Sequence, residues 1–276
     1  MAFSFHDRAA RKRKPVIVNG YVDETESDAV FVMAGYVAPA DEWAKFSDAW
    51  AAALAARPKI SALKTNDAMR APPRGEFWGV SEELRDEKLR LFYSIIEAHV
   101  GYSASCVVHL EPLKRIFANS DLPKQAANPY YHCIASLVSS VARLQIMQGV
   151  EDEKVDWIFD ERVMEQGKFL SIWDALIHDA PEDVKPLIGG TPVFKPDDGP
   201  NGARPLQAAD LEAWWLRRRW DEKLKGLPRL EYPWRPEPIP ECASVLDEDA
   251  IQEIFERMLI AREHLAILDP TGKYFG

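Results

Sequence analysis

Short runs rich in β-branched residues alternate along this chain with stretches whose apolar residues recur every three or four positions. That alternation restricts the fold more than any other feature. Pro15 to Glu24 reads PVIVNGYVDE, and after the polar turn ETESDA a second strand-like run covers Val30 to Val37, so the expected opening is an antiparallel hairpin. Pro39 then supplies a helix start, and Trp43, Phe46, Trp50 and Leu54 place four large apolar groups on one helical face.

The same reading continues downstream. Between Arg57 and Gly79 the prolines Pro58, Pro72 and Pro73 break any period, so a loop with one short strand near Lys59 to Lys64 is expected. Ser81 to Val100 predicts an amphipathic helix, Tyr102 to Leu110 a strand, and Pro129 to Gln148 a helix stopped by Gly149. Lys154 to Asp160 predicts a strand, Gly167 to His178 a helix, and the stretch around Pro186 to Phe194 a last strand. The loop KPDDGPNGA leads into a helix beginning at Pro205. A hairpin followed by strands separated by helices implies an α/β fold with a mixed sheet covered by helices on both faces.

With 276 residues the chain suits one large domain. Residues 1–14, carrying Arg8, Arg11, Lys12, Arg13 and Lys14, are expected to form a basic arm, and 15–225 the main domain. Residues 226–276, with five prolines in GLPRLEYPWRPEPIP and a helical pattern near Asp247 to His264, are expected to pack on that same domain. The start lacks the apolar stretch of a signal peptide, and no apolar run is long enough to span a membrane. Cys106, Cys133 and Cys242 are widely spaced with no paired-cysteine motif, which suits a reducing, cytoplasmic setting.

The formal charge of −10 argues against a passive nucleic-acid coat. It argues less against an enzyme acting on nucleic acid, because a carboxylate cluster that takes divalent cations is most negative without them. The glycine patterns of phosphate and dinucleotide sites, the serine-esterase elbow and paired-histidine zinc motifs are all missing from the sequence. The remaining candidates are acids. Asp23 and Glu24 stand where the first strand ends, and Asp160 and Glu161 where a later strand ends. Asp210 flanks the apolar stripe Leu206, Ala209, Ala213, Leu216 and Trp220 of the helix after the glycine-rich loop. Strand ends and helix N-terminal turns meet on one rim of such a sheet, and carboxylates gathered there repel one another unless a cation lies between them.

Four segments taken in order, YVDETES (Tyr21 to Ser27), LKTND (Leu63 to Asp67), VDWIFDE (Val155 to Glu161) and PLQAADLEAW (Pro205 to Trp214), resemble the successive signatures of the DUF 3800 family, a branch of the RNase H-like superfamily. The resemblance spans about residues 15–225. It implies an RNase H-like sheet in which Asp23, Asp160 and Asp210 bind metal and Glu24 adjoins them as a fourth catalytic acid. The implied activity is phosphodiester hydrolysis with Mg2+ or Mn2+ and nucleic acid as substrate. Where many relatives carry Glu or His near the Lys64 position, this chain reads SALKTND, which leaves a further ligand open between Asp67 and Glu24. Lys64, Gln207 and Arg217 are the expected substrate contacts, with Arg218 and Arg219 adding positive charge and Trp214 and Trp215 offering stacking faces. The alternative expectation is a non-catalytic interaction protein of the same fold, working through a partner in a defence or mobile-element system.

Overall fold

The computed structural model describes residues 17–150, 153–162, 166–199, 202–228 and 239–268. Six strands form one mixed sheet: β1 (Val18–Glu26), β2 (Val30–Pro39), β3 (Tyr102–His109), β4 (Val155–Asp160), β5 (Val193–Lys195) and β6 (Glu241–Leu246), in the spatial order β5-β4-β1-β2-β3-β6. The first three run as an antiparallel meander, whereas β4 lies parallel to β1, β5 parallel to β4, and β6 parallel to β3. Among the described residues eight helices accompany them: α1 (Ala40–Ala55), α2 (Thr65–Met69), α3 (Glu82–His99), α4 (Leu110–Phe117), α5 (Pro129–Gln148), α6 (Gln166–Asp179), α7 (Arg204–Leu224) and α8 (Glu248–Leu268). The α/β class with a mixed sheet is therefore as the sequence predicts.

Strand alternation sorts side chains onto two faces. Val18 and Val22 of β1, with Trp157 and Phe159 of β4, pack against α5 and α6 through Leu137, Val141, Phe169 and Trp173. Tyr21 and Ile158 point the other way, into a cluster with Trp43, Phe46 and Trp50 of α1, Phe92 of α3, and Leu206 and Leu211 of α7. β1 and β4 are central and covered on both faces, and the acids Asp23 and Asp160 follow the buried Val22 and Phe159 directly.

The order of connection fixes where a crevice opens. After β1 the chain steps to β2 on one side, and after β4 it reaches β5 on the other. In open α/β sheets ligands bind outside the carboxyl ends of strands at such a reversal. Here it falls between β1 and β4.

The ends of α5 follow their sequence signals. The Asn128 side chain accepts from Tyr130 N at 3.0 Å, Pro129 occupies the first turn, and Gly149 closes the helix in the left-handed region at φ 66°. Helix α1 has no such glycine. Its last carbonyls are instead taken by Lys88 of α3, which is 2 % exposed and donates from Nζ to Ala53 O, to Ala56 O at 2.8 Å and to Leu54 O at 3.4 Å. A buried ammonium thus does the work of a cap and ties α1 to α3, with burial pushing its pKa down.

Three segments depart from the sequence reading. The stretch Lys59 to Lys64 forms no strand: the N–H groups of Ser61 and Ala62 are held by the Glu76 carboxylate, and a bend leads into α2. Its buried Ile60, Ala62 and Leu63 look like a strand pattern, but their N–H groups go to Leu54 O, the Glu76 carboxylate and Gln207 Oε1 in place of a neighbouring strand. Helix α4 was not predicted because it has only eight residues, with Leu110, Leu113 and Phe117 facing inward. Strand β6 was not predicted either. It is an edge strand with one buried residue, Leu246, behind a proline-rich run that offers no strand signal. The basic arm at 1–14 and most of the proline-rich segment lie outside the described residues, whereas α8 packs through Ile251, Ile254 and Phe255 on the same core as α5.

Replacing Lys88 with Met keeps the apolar stem but removes the buried ammonium that donates to Ala53 O, Leu54 O and Ala56 O; the first two keep backbone donors in Ala56 N and Ile60 N. The expected loss is about 1–3 kcal/mol of folding stability, read as a lower urea midpoint with an unchanged slope.

Candidate functional site

An open cleft of about 250 Å³ lies at the carboxyl ends of β1 and β4, and its lining joins five parts of the chain, one of them the segment Lys64, Thr65 and Asn66. From β1 and β4 come Asp23 and Asp160, each one residue beyond the paired Val22 and Phe159, so the two acids sit on adjacent parallel strands. Both continue the alternation of Tyr21 and Ile158 and point to the α7 face, where Asp210 rises from the helix. Glu24 reaches the rim from the opposite face. There the Tyr130 hydroxyl of α5 donates to its Oε1 at 3.1 Å, while Oε2 is buried without a hydrogen-bond partner.

A further part is the loop ahead of α7. Asp160 pairs with Lys195 across β4 and β5, and two residues further on Asp197 enters the cleft, 6 % exposed. Both its carboxylate oxygens are taken by cations: Arg162 Nη2 lies 2.7 Å from Oδ1 and Lys64 Nζ 2.5 Å from Oδ2. Lys64 also meets Asp198 at 2.9 Å, and Arg162 reaches Asp160 at 3.8 Å. The lining therefore carries five carboxylates (Asp23, Glu24, Asp160, Asp197, Asp210) against two cations. The cations sit on one side of it.

The imbalance shows in the ionisation of the acids. Burial holds the Asp23 carboxyl well above the ordinary carboxylate range, and repulsion from Asp210 and Glu24 adds to this. The Glu24 N–H, donating to Asp23 Oδ1 at 2.8 Å, opposes it only in part. Burial likewise pushes Glu24 up to about 7 against the Tyr130 hydrogen bond. Asp210 is raised by burial, with bonding from Thr65, whose N–H donates to Oδ2 at 3.1 Å, working the other way. Asp160 is also raised by burial, against the Arg162 N–H that donates to its Oδ1 at 2.7 Å. Burial acts against the Lys64 ammonium too, yet Asp197 and Asp198 leave its pKa above the usual value.

The structure brings Asp23, Glu24, Asp160, Asp210 and Lys64 together in the cleft lining, and it separates the other candidates. Asp67 does not line the cleft; its carboxylate lies against Gly75, where a Cβ would stand 2.7 Å from Oδ2. Glu161 is exposed and gives its N–H to Lys195 O. Gln207, expected to touch substrate, is 2 % exposed beneath the cleft. Its Oε1 accepts from Trp50 Nε1 at 3.0 Å and from Leu63 N at 2.9 Å, and its Nε2 donates to Asp197 O at 2.8 Å. It is a tie between α1, the Lys64 segment and the Asp197 loop, and its amide faces protein. Arg217 lies two turns beyond Asp210 and pairs with Asp221 at 3.1 Å, outside the cleft lining. Trp214 and Trp215 are 7 % and 2 % exposed, so they fill the core and have no face to offer a base.

Asp197 and Arg162 were missed. The paired aspartates of KPDDGPNGA, just ahead of the helix that carries Asp210, were the available signal for the first. For Arg162 there was none beyond its place two residues after Asp160.

The donor set is all oxygen and short-stemmed, which suits a hard divalent cation. Among the described residues no cation pairs with Asp23, and the buried Glu24 Oε2 has no donor. Among the described residues, however, no three His, Cys, Asp or Glu side chains are arranged to hold a metal ion as they stand. Compared with protein-family models the chain gives no match, and a search of curated proteins gives none either.

A carboxyl whose folded-state pKa exceeds its unfolded value makes the folded state hold more protons in between, so stability falls as pH rises through that interval. For Glu24 the interval runs from 4.5 to about 7. Glu24→Gln removes this loss and is expected to be more stable than the parent above pH ~7, by on the order of 1–3 kcal/mol, with the gap closing toward pH ~4. Asp23→Asn should move in the same direction. Chemical denaturation across this pH range, without divalent ions, measures both; parallel pH profiles for parent and variants would contradict the electrostatic account.

Proposed function

We propose that this chain is a divalent-metal-dependent phosphodiester hydrolase of RNase H-like architecture, related to the DUF 3800 family, with nucleic acid as its substrate. The observation that carries the reading is the convergence of Asp23, Asp160 and Asp210, from two adjacent parallel strands and a facing helix, in one cleft at the sheet's reversal point. The antiparallel opening, the later parallel strands and the helices on both faces also support it. Asp23, Asp160 and Asp210 would hold Mg2+ or Mn2+, with Glu24 as the neighbouring acid. When bound, such an ion supplies positive charge to a phosphoryl oxygen and to an attacking water.

The chain's own groups supply the rest. Glu24, its pKa raised to about 7 by burial, lines the cleft and is the acid suited to exchange a proton near neutral pH. Lys64 and Arg162 are the cations at the cleft that can meet a phosphate backbone, and Arg162, with its side chain 59 % exposed, presents a planar fork to the opening. Gln207 holds the Lys64 and Asp197 segments in register without touching substrate. Three free cysteines agree with a cytoplasmic setting, and among the described residues no helix is long and apolar enough to cross a membrane.

A second reading, a non-catalytic interaction protein of the same fold, is favoured by the neutralisation of Asp197 by the chain's own cations. Incubation with single- and double-stranded DNA and RNA plus Mg2+ or Mn2+ decides between them. Cutting of at least one substrate is expected, with Asp23→Ala or Asp210→Asn lowering the rate about 100-fold or more, given that ligand acids carry most of such a site's rate enhancement. Intact substrate in every combination, or cutting that survives both changes, favours the interaction protein.

A further inference from the structure

We propose that Arg162 is an internal stand-in for the cation: its guanidinium occupies the Asp160 and Asp197 side of the cleft until a divalent ion enters, and is then handed to the anionic substrate. This rests on the hydrolase reading above and adds a positioning role that the reading does not require.

The geometry separates Arg162 from an ordinary surface ion pair. Its Nη2 meets Asp197 Oδ1 at 2.7 Å, and its Nε lies 3.8 Å from Asp160 Oδ1. Its own main-chain N–H holds that same Asp160 oxygen at 2.7 Å. The residue is thus fixed at the backbone to the acid whose charge its side chain balances. The two acids are 6 % exposed, whereas the Arg162 side chain is 59 % exposed and reaches them from solvent. A long exposed side chain over buried acids can leave without breaking the core. Lys64 shares Asp197 and Asp198 with Arg162 but holds Asp198 more closely, at 2.9 Å against 3.8 Å, and keeps part of the acid charge balanced when Arg162 leaves.

Two consequences follow. An ion entering among Asp23, Asp160 and Asp210 meets the positive charge of Arg162, so this side chain weakens metal binding. Once released, the five-donor fork is free for a phosphate, so metal and nucleic acid strengthen each other's binding through Arg162, reciprocally by linkage.

Calorimetric titration of Mn2+ into the full chain tests the first consequence. Arg162→Gln is expected to bind Mn2+ roughly threefold to tenfold more tightly than the parent, the range for removing one partly screened charge a few ångströms away. Arg162→Lys keeps the charge and should stay near the parent value. Fluorescence anisotropy of a labelled single-stranded oligonucleotide, with Ca2+ and with chelator, tests the second. The parent should bind more tightly with Ca2+, and Arg162→Gln should lose most of that gain. Equal or weaker Mn2+ binding by Arg162→Gln overturns the proposal while leaving the hydrolase reading in place, as does an unchanged Ca2+ gain. Failure of the parent to bind Mn2+ at millimolar concentration overturns both.

Discussion

The parallel pairing of β1 with β4 is the contact on which the site depends. Its register, Val22 opposite Phe159, sets Asp23 and Asp160 side by side at the same height and on the same face. A shift of one residue would send one of the two acids to the α5 face, because strand side chains alternate strictly. What fixes the register is apolar. Val22, Trp157 and Phe159 are buried toward α5 and α6, and Gly20 lies where a Cβ would stand 2.7 Å from the Trp157 ring. The acids are thus positioned by the packing of residues that take no part in their chemistry.

That positioning works against folding stability. Asp23 is buried beside Asp210 and Glu24, and each carboxylate is held in a state that solvent would not favour. On the other side of the cleft, Lys64 and Arg162 balance Asp197 and Asp160. The asymmetry leaves one half of the cleft electrostatically satisfied and the other in need of positive charge. Local conflict of this kind is expected where a surface serves a ligand rather than the fold. Lys88 shows the contrasting case: its buried charge is spent on helix carbonyls, and its role ends in structure.

Most of the elements were legible because their signals are local. The hairpin, α1, α3, α5 and the strand ending at Asp160 each announce themselves by period, cap or stop residue; Asp160 was legible as a strand end, Asp23 from the acid pair after the first apolar run, and Asp210 from the apolar stripe it flanks. Segments whose pairing is not local were misread. Ser61 and Ala62 give their N–H groups to Glu76, and β6 pairs with a strand more than a hundred residues earlier. Gln207 and Trp214 sit in a helix that looked like a substrate surface, yet both are buried. Asp197 escaped notice because its place depends on β5, a strand of three residues.

The sequence by itself determined the α/β class, the hairpin and the identity of four of the five lining acids, since hydrophobic period and turn residues act over a few positions. Only the tertiary structure decided which of the many charged groups meet, that Asp197 and Arg162 join them, and that Asp67, Gln207 and Arg217 do not. Those outcomes depend on strand order and on the desolvation of each side chain, which are set by contacts between residues far apart along the chain.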